Sequence, residues 1–398
     1  MIDLNKVKRF NEKDKTVLIR FDLNVPLGSK ELHKSERIIR IQKSISKLIS
    51  LNSKIIILSH VGRPNGETIN ELSLKQLVEP LKKALNKDIV FISDCIGVDV
   101  KNKISETDAD KIILLENCRF YKDEEANNDG FAESLSHLAD VYINDAFACS
   151  HRAHASISAI TKYLPSYCGE LLYDELLNLN KILTNPDEPA ITIMGGSKIS
   201  SKITIIKNLS KKMSAIAICG GMANSFIEYQ GHNIGKSLAE KNVQHVIKDV
   251  FNFSEENNCK IILPQDANVA LKLEKDVSTN IKKIEKIDSS EMILDIGPVS
   301  IKELKEQIKS SKTVFWNGPP GVFEVTPFDK ATIEIAEYIA ELTEAGKVQS
   351  FAGGGDTVAA IEMAGVKDKF TYISTGGGAL LELLEGKKLP GLVSQNIL

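Results

Sequence analysis

Ala190-Ile-Thr-Ile-Met-Gly-Gly-Ser-Lys-Ile-Ser-Ser-Lys202 decides the fold class of this 398-residue chain. Ala190–Met194 is a short, continuously apolar run. A glycine pair ends it, and a helical stretch opens on Ser197. A strand that is apolar throughout, rather than alternating, is buried on both faces, as in parallel sheets covered by helices. The same unit recurs in both directions. Before it stand Val17–Phe21, Ile55–Ser59, Ile89–Ile92, Ile112–Leu115 and Val141–Ile143. After it stand Ala215–Cys219, Ile261–Leu263, Met292–Ile296, Thr313–Trp316, Ser350–Ala352 and Phe370–Ser374. Amphipathic stretches separate them, so the expected class is α/β, and the set is too large for one core. Two doubly wound parallel-sheet domains facing across a cleft are expected.

The boundaries follow from local breaks. Tyr173–Leu183 reads as an amphipathic helix, and Asn185-Pro-Asp-Glu-Pro189 ends it. The expectation is an N-terminal domain over residues 1–170, a connecting helix and hinge over 171–188, and a second domain over 189–380. A C-terminal segment over 381–398 can pack back on the first domain.

Net charge is −3, with 42% hydrophobic and 26% charged residues. Nothing global therefore points to nucleic acid or a membrane surface. No apolar stretch reaches membrane-span length, and the N-terminus lacks a secretory apolar region. The six cysteines form no C-x-x-C pair, which fits reduced thiols in the cytoplasm.

Charge and glycine are unevenly placed. All seven arginines lie at or before Arg152, whereas 20 of the 25 glycines follow residue 168. Guanidinium forks recognise phosphate and carboxylate, and glycine-rich turns at helix N-termini cradle polyphosphates. In open parallel sheets, ligands bind beyond the carboxyl ends of the strands. There the first half carries Asp22 and Asn24, His60 and Arg63, Arg119, and Arg152, with Arg37 on a nearby helix. Asp22 and Asn24 suit substrate hydroxyls, or equally a turn or cap. His60, and after it His151, suit anion contacts ahead of structural hydrogen bonds, and a metal comes last, since the His151/His154 pair at i, i+3 has no evident third ligand. The second half carries Lys198 and Lys202, Gly220, Asn317 and Glu324, and Gly353-Gly-Gly-Asp-Thr357. Neither a Walker A loop nor a dinucleotide fingerprint is present. Asp356 is the best carboxylate for Mg²⁺, which takes one or two carboxylates beside phosphate oxygens. Trp316, the one tryptophan, is expected in a core.

In this order the motifs resemble those of the phosphoglycerate kinase family. Arg20-Phe-Asp-Leu-Asn-Val-Pro26, Ser59-His-Val-Gly-Arg-Pro64, Glu116-Asn-Cys-Arg-Phe120, Asp145-Ala-Phe147 and His151-Arg-Ala-His154 carry the likeness in the first half. Gly195-Gly-Ser-Lys198, Trp316-Asn-Gly-Pro-Pro-Gly-Val-Phe-Glu324, Gly353–Thr357, Ser374-Thr-Gly-Gly-Gly378 and Leu381–Gly391 carry it in the second. The resemblance implies reversible phosphoryl transfer from 1,3-bisphosphoglycerate to MgADP, giving 3-phosphoglycerate and MgATP. It implies a triose site of Asp22, Asn24, Arg37, His60, Arg63, Arg119 and Arg152. It implies a nucleotide site of Lys198, Lys202, Gly220, Asn317, Glu324, Gly353, Gly354, Gly355, Asp356 and Thr357, with the metal at Asp356. Arg37, Lys198, Gly376 and Gly377 are implied at the transferring phosphoryl, and a monomer is the family default. Cys219, Asn224 and the Cys149-Ser150 pair depart from the family's usual residues, and the first two bear on nucleotide preference. A dehydrogenase, a non-catalytic nucleotide scaffold and a kinase of another carboxylate are the rival readings.

Overall fold

The computed structural model describes residues 2–29 and 31–398. Met1 and Lys30, both within the expected first domain, lie outside the described residues. The chain forms two compact units, Met1–Leu177 with Lys388–Leu398, and Asn178–Lys387.

In the first unit, β1 (Thr16–Arg20), β2 (Lys54–Leu58), β3 (Ile89–Ile92), β4 (Ile112–Leu115), β5 (Val141–Asn144) and β6 (Ser166–Cys168) form one sheet among the described residues. Its order is β3-β4-β2-β1-β5-β6, and every pairing is parallel. Side chains along a strand alternate between faces. Val17 and Ile19 accordingly enter one core with Ile55 and Ile57, while Leu18 enters another with Ile56 and Leu58. Both faces are covered, which is why the strands read as unbroken apolar runs. The crossovers run outward from β1 through β2, and then reverse to β5 on its other side. Ligands of open α/β sheets sit at such a reversal, beyond the carboxyl ends of the strands.

The second unit repeats the plan. It contains β7 (Ala190–Met194), β8 (Ala215–Ile218), β9 (Lys260–Ile262), β10 (Asp266–Ala270), β11 (Asn280–Lys283), β12 (Met292–Ile296), β13 (Thr313–Asn317), β14 (Gln349–Gly353) and β15 (Tyr372–Ser374). The main sheet has the order β15-β14-β13-β7-β8-β9, all parallel, so its reversal lies between β7 and β13. Trp316 is fully buried in the core beneath this sheet and donates Nε1–H to Gly318 O at 2.7 Å.

Two differences from the sequence expectation stand out. Met292–Ile296 does not join the parallel sheet but pairs antiparallel with β10, which also pairs antiparallel with β11. A short apolar segment does not carry the direction of its partner. Strand β6 was not expected; at three residues it is too short to show a period.

The helix Glu170–Leu183 starts earlier than its apolar pattern suggests, because a distant side chain caps it. Asp145 Oδ1 accepts the Leu172 N–H at 2.9 Å, and Asp145 Oδ2 accepts the Ser44 hydroxyl. Gly169 permits this approach, since a Cβ there would lie 2.2 Å from Asp145 Cγ. The C-terminal residues join the first unit: Gly391 N–H bonds Ser150 O at 2.9 Å, and Gln395 Nε2 donates to Tyr167 O at 3.0 Å. No described helix is long and apolar enough to cross a membrane.

Candidate active site

In the first unit the carboxyl ends of β1, β2, β4 and β5 converge on a group of cations. Arg37, in the helix Glu36–Ile39, holds Asp22 Oδ2 at 2.7 Å and Asn24 O at 3.0 Å, both through Nη1. Asn24 Oδ1 accepts the Gly62 N–H at 2.9 Å, tying the loop after β1 to the loop after β2. Arg119 sits on the turn Cys118–Phe120 and donates to Gly62 O at 3.2 Å. Its position is fixed from below by Asn117, whose Nδ2 spans Val61 O and Leu72 O at 2.8 and 2.9 Å.

His60 is buried at the centre. Burial first, then the charges of Arg20 and Arg119, and further those of His154 and Arg37, hold its pKa well below the ordinary range. His154 falls to about 4 for the same reasons, with burial first and then Arg119, Arg20 and Arg152. Both imidazoles are thus neutral near pH 7, among guanidinium groups that stay charged. Arg63 and Arg152 lie exposed on the same loops. A concentration of cations that Asp22, Glu124 and Glu125 offset only in part, set around neutral donors, suits an anion.

Sequence reasoning missed the support beneath this site. Arg20 is fully buried, donating to Ser156 Oγ at 2.9 Å, to His60 Nδ1 at 3.0 Å, and to Phe21 O. Ser156 in turn donates to the fully buried Glu124 at 2.5 Å. A signal existed: a charge inside the run Thr16-Val-Leu-Ile-Arg20 has to be paired if the run is buried. Ligating atoms of Asp22, His60 and Cys149 all lie within 4.8 Å of one another. Those of Asp22 and His60 already face Arg37 and Arg20, and such a shell favours an anion over a cation. Burial, with Asp22 next, pushes the Cys149 thiol up to about 12, so it is not a nucleophile.

In the second unit the site straddles the reversal between β7 and β13. Lys202 Nζ donates to Asn317 Oδ1 at 2.5 Å, and Asn317 Nδ2 donates to Gly353 O at 2.7 Å. Thr357 Oγ1 accepts the Gly318 N–H at 2.7 Å. Burial lowers the Lys202 pKa, against the raising charges of Glu385 and Asp356. Three strand ends are therefore locked around one ammonium. Many of the glycines serve backbone packing: a Cβ at Gly195 would lie 2.1 Å from Pro319 O, and one at Gly318 2.4 Å from Gly195 O. Gly355 and Gly377 differ, since a Cβ at either meets nothing within 4 Å.

Beside these loops lies a cavity of about 260 Å³, lined by Gly196, Ser197, Gly220 and Gly221 and by Glu324 and Asp356. Its other walls are mostly apolar, among them the exposed side chains Leu238 and Leu273, with Asn224 and Asp295 the polar exceptions. An apolar slot with a polar mouth suits a nucleotide base and its phosphates. Lys198 is exposed on the same loop as Ser197. The Gly353–Thr357 and Ser374–Gly378 clusters are neighbours, because Gly353 pairs with Ser374 between β14 and β15. The Gly376 N–H is given to Ser374 Oγ at 3.1 Å.

A family model for phosphoglycerate kinase matches residues 7–387. The chain belongs to the phosphoglycerate kinase family. Its members' shared identity makes this chain an enzyme, a kinase of the transferase class with a place in glycolysis. It is 46% identical over 388 residues to the phosphoglycerate kinase of Bartonella bacilliformis, covering 98% of this chain and 97% of that one. Among solved structures it resembles phosphoglycerate kinase from Coxiella burnetii at a TM-score of 0.88, with 37% identity and 97% of each chain covered. It resembles the Pyrococcus horikoshii enzyme at 0.76, with 27% identity over 100% of this chain and 99% of that one. The family uses a nucleotide substrate, generally with Mg²⁺.

Proposed function

We propose that the chain moves a phosphoryl group reversibly between 1,3-bisphosphoglycerate with MgADP and 3-phosphoglycerate with MgATP, as a cytoplasmic monomer whose substrates are small molecules. The observation that carries this is the buried, neutral His60 ringed by Arg20, Arg37 and Arg119. A dehydrogenase would carry a dinucleotide fingerprint, which this chain lacks, and a nucleotide scaffold leaves the anion-binding half unexplained.

The acyl phosphate is a good donor, and an ADP β-phosphate oxygen is already ionised at neutral pH. The reaction therefore needs neither a general base nor a covalent enzyme intermediate. It needs in-line positioning and stabilisation of charge on the transferring group. Arg119, Arg152 and Arg63 supply forks for the triose phosphate and carboxylate, and Asp22 and Asn24 face its hydroxyl. Arg37 has five N–H donors; Nη1 is engaged by Asp22 and Asn24, and the others can meet the phosphoryl oxygens. Lys198 and the amides around Gly377 complete the cradle. Lys202 and Asn317 hold the nucleotide phosphates, and Glu324 meets the ribose.

Asp356 fits Mg²⁺: it is an exposed, hard carboxylate in the first turn of the helix Gly355–Met363, on the cavity wall. The ion would neutralise phosphate charge there. With substrates on different units, closure about the helix Glu170–Leu183 is part of the proposal, and it would exclude water from the acyl phosphate.

The reaction is tested by supplying 3-phosphoglycerate and MgATP and trapping 1,3-bisphosphoglycerate with glyceraldehyde-3-phosphate dehydrogenase and NADH. NADH oxidation that requires both substrates supports the reading; none, in a folded protein, refutes it. Closure is tested by solution scattering, where no compaction with both substrates bound counts against it.

A further inference from the structure

Arg20 ends β1 and Glu124 lies in the helix Lys122–Glu125, and both are fully buried. Among the described residues no carboxylate pairs with Arg20 directly. Ser156 stands between the two charges. Its hydroxyl has one proton, given to Glu124 Oε1 at 2.5 Å, so Oγ accepts from Arg20 Nε at 2.9 Å. The Ser156 N–H goes to Glu124 Oε2 at 2.8 Å, and its carbonyl accepts the Tyr142 hydroxyl at 2.6 Å. Every polar group of Ser156 is therefore engaged, and the direction of each bond is fixed.

Burying a charge is costly unless an opposite charge answers it. His154 Nδ1 lies 4.0 Å from Glu124 Oε1, but burial first, then Arg119, Arg20 and Arg152, hold that imidazole neutral with a pKa of about 4. Arg20 is left as the cation that answers Glu124. A direct arginine–carboxylate pair is commonly bidentate and takes two N–H groups of the guanidinium. The interposed hydroxyl takes Nε alone. Nη2 is then free for His60 Nδ1, at 3.0 Å, and Nη1 for Phe21 O.

We propose that Glu124 is a positioning residue of the triose site: it holds Ser156, Ser156 holds Arg20, and Arg20 keeps His60 in the tautomer protonated at Nε2. Glu124 acts through this chain and does not meet substrate. The inference rests on the reading of His60 as a triose contact above, and it extends that site to a carboxylate behind the sheet's arginine. A hydrogen-bond chain of this kind works as a unit, so cutting it at either link has the same consequence at its end.

The test compares full-length wild type with Glu124→Gln and Ser156→Ala. The glutamine amide is uncharged and has one accepting oxygen where the carboxylate has two, so it cannot serve both Ser156 donors. Alanine cuts the chain at its middle by removing a single oxygen, which keeps the question answerable if the buried glutamine prevents folding. In either variant the ¹⁵N spectrum of His60 should pass from Nε2-protonated to a mixture of tautomers. The KM for 3-phosphoglycerate should rise about threefold to tenfold, with the nucleotide KM unchanged. The double variant should be no worse than the worse single one, because both act along one chain. A merely structural role would lower the melting temperature without moving the tautomer. An unchanged His60 spectrum in a folded variant, or fully additive effects in the double variant, would overturn this inference and leave the triose reading standing. A mixed tautomer with an unchanged KM for 3-phosphoglycerate would overturn the positioning role and the place of His60 in the triose site. Wild type without turnover of 3-phosphoglycerate would overturn both readings.

Discussion

Arg20 Nη2 lies 3.0 Å from His60 Nδ1, and because a guanidinium can only donate, His60 Nδ1 must accept. The neutral imidazole therefore carries its proton on Nε2. A buried arginine that never meets solvent converts a histidine into a fixed, uncharged donor for an anion. The expected signature is a ¹⁵N spectrum with Nδ1 unprotonated and Nε2 protonated across the neutral range. In Arg20→Lys a single ammonium cannot reach Ser156, Phe21 O and His60 together. The tautomer should become mixed, and affinity for 3-phosphoglycerate should fall. An unchanged His60 spectrum in that variant would remove the role assigned to Arg20.

Asn317 joins Lys202 to Gly353 across β7, β13 and β14. Asn317→Ala should release Lys202 and loosen the glycine loop together. The nucleotide KM is expected to rise about tenfold, the scale of one lost charged hydrogen bond. Thermal stabilisation by MgADP should shrink, while binding of 3-phosphoglycerate should be unaffected. Equal losses for both substrates would point to general unfolding instead.

The glycines divide into two classes with opposite expected outcomes. Gly195→Ala pushes a methyl against Pro319 O, 2.1 Å from the ideal Cβ, and should lower the melting temperature. Gly355→Ala meets nothing within 4 Å and lies in the first turn of a helix, where alanine is favoured. Its melting temperature should hold or rise, while nucleotide affinity falls because the methyl occupies the approach to the helix N-terminus. Full nucleotide affinity in Gly355→Ala would show that no phosphate comes near that amide.

Burial raises the Asp295 pKa to about 8, although two backbone N–H groups bond to the carboxyl. The folded state therefore holds a proton that the unfolded chain releases in the ordinary carboxylate range. This contribution is complete at low pH and is lost as pH rises toward about 8. Asp295→Asn cannot ionise, and it forfeits one acceptor, so it should be the less stable protein at about pH 4, where the wild-type contribution is complete. The gap in melting temperature should narrow as pH rises from about pH 4 to about pH 8. A gap that widens would reverse the sign argued here.

What was legible in the sequence follows a physical divide. Ala190–Met194 and its counterparts could be read because burial on both faces leaves a continuous apolar run. Asn280–Lys283 could not, being largely exposed and polar, and Met292–Ile296 was given the wrong sheet because pairing direction is set by distant residues. The arginines and lysines that gather at the strand ends were legible by type and place. Their supports were not: Arg20, Glu124 and Ser156 meet only through the fold, across 136 and 32 residues of chain.

The most direct test of the central claim is turnover of wild type and Arg37→Ala, side by side, in the coupled assay from 3-phosphoglycerate and MgATP. The proposed function assigns Arg37 to the transferring phosphoryl, and its Nη1 is tethered to Asp22 and Asn24. Charge stabilisation of this kind predicts a loss in kcat on the order of 10²–10³, with a much smaller change in the KM for 3-phosphoglycerate. Near-normal kcat in the variant, with wild-type turnover intact, would contradict the account of how this site transfers phosphate.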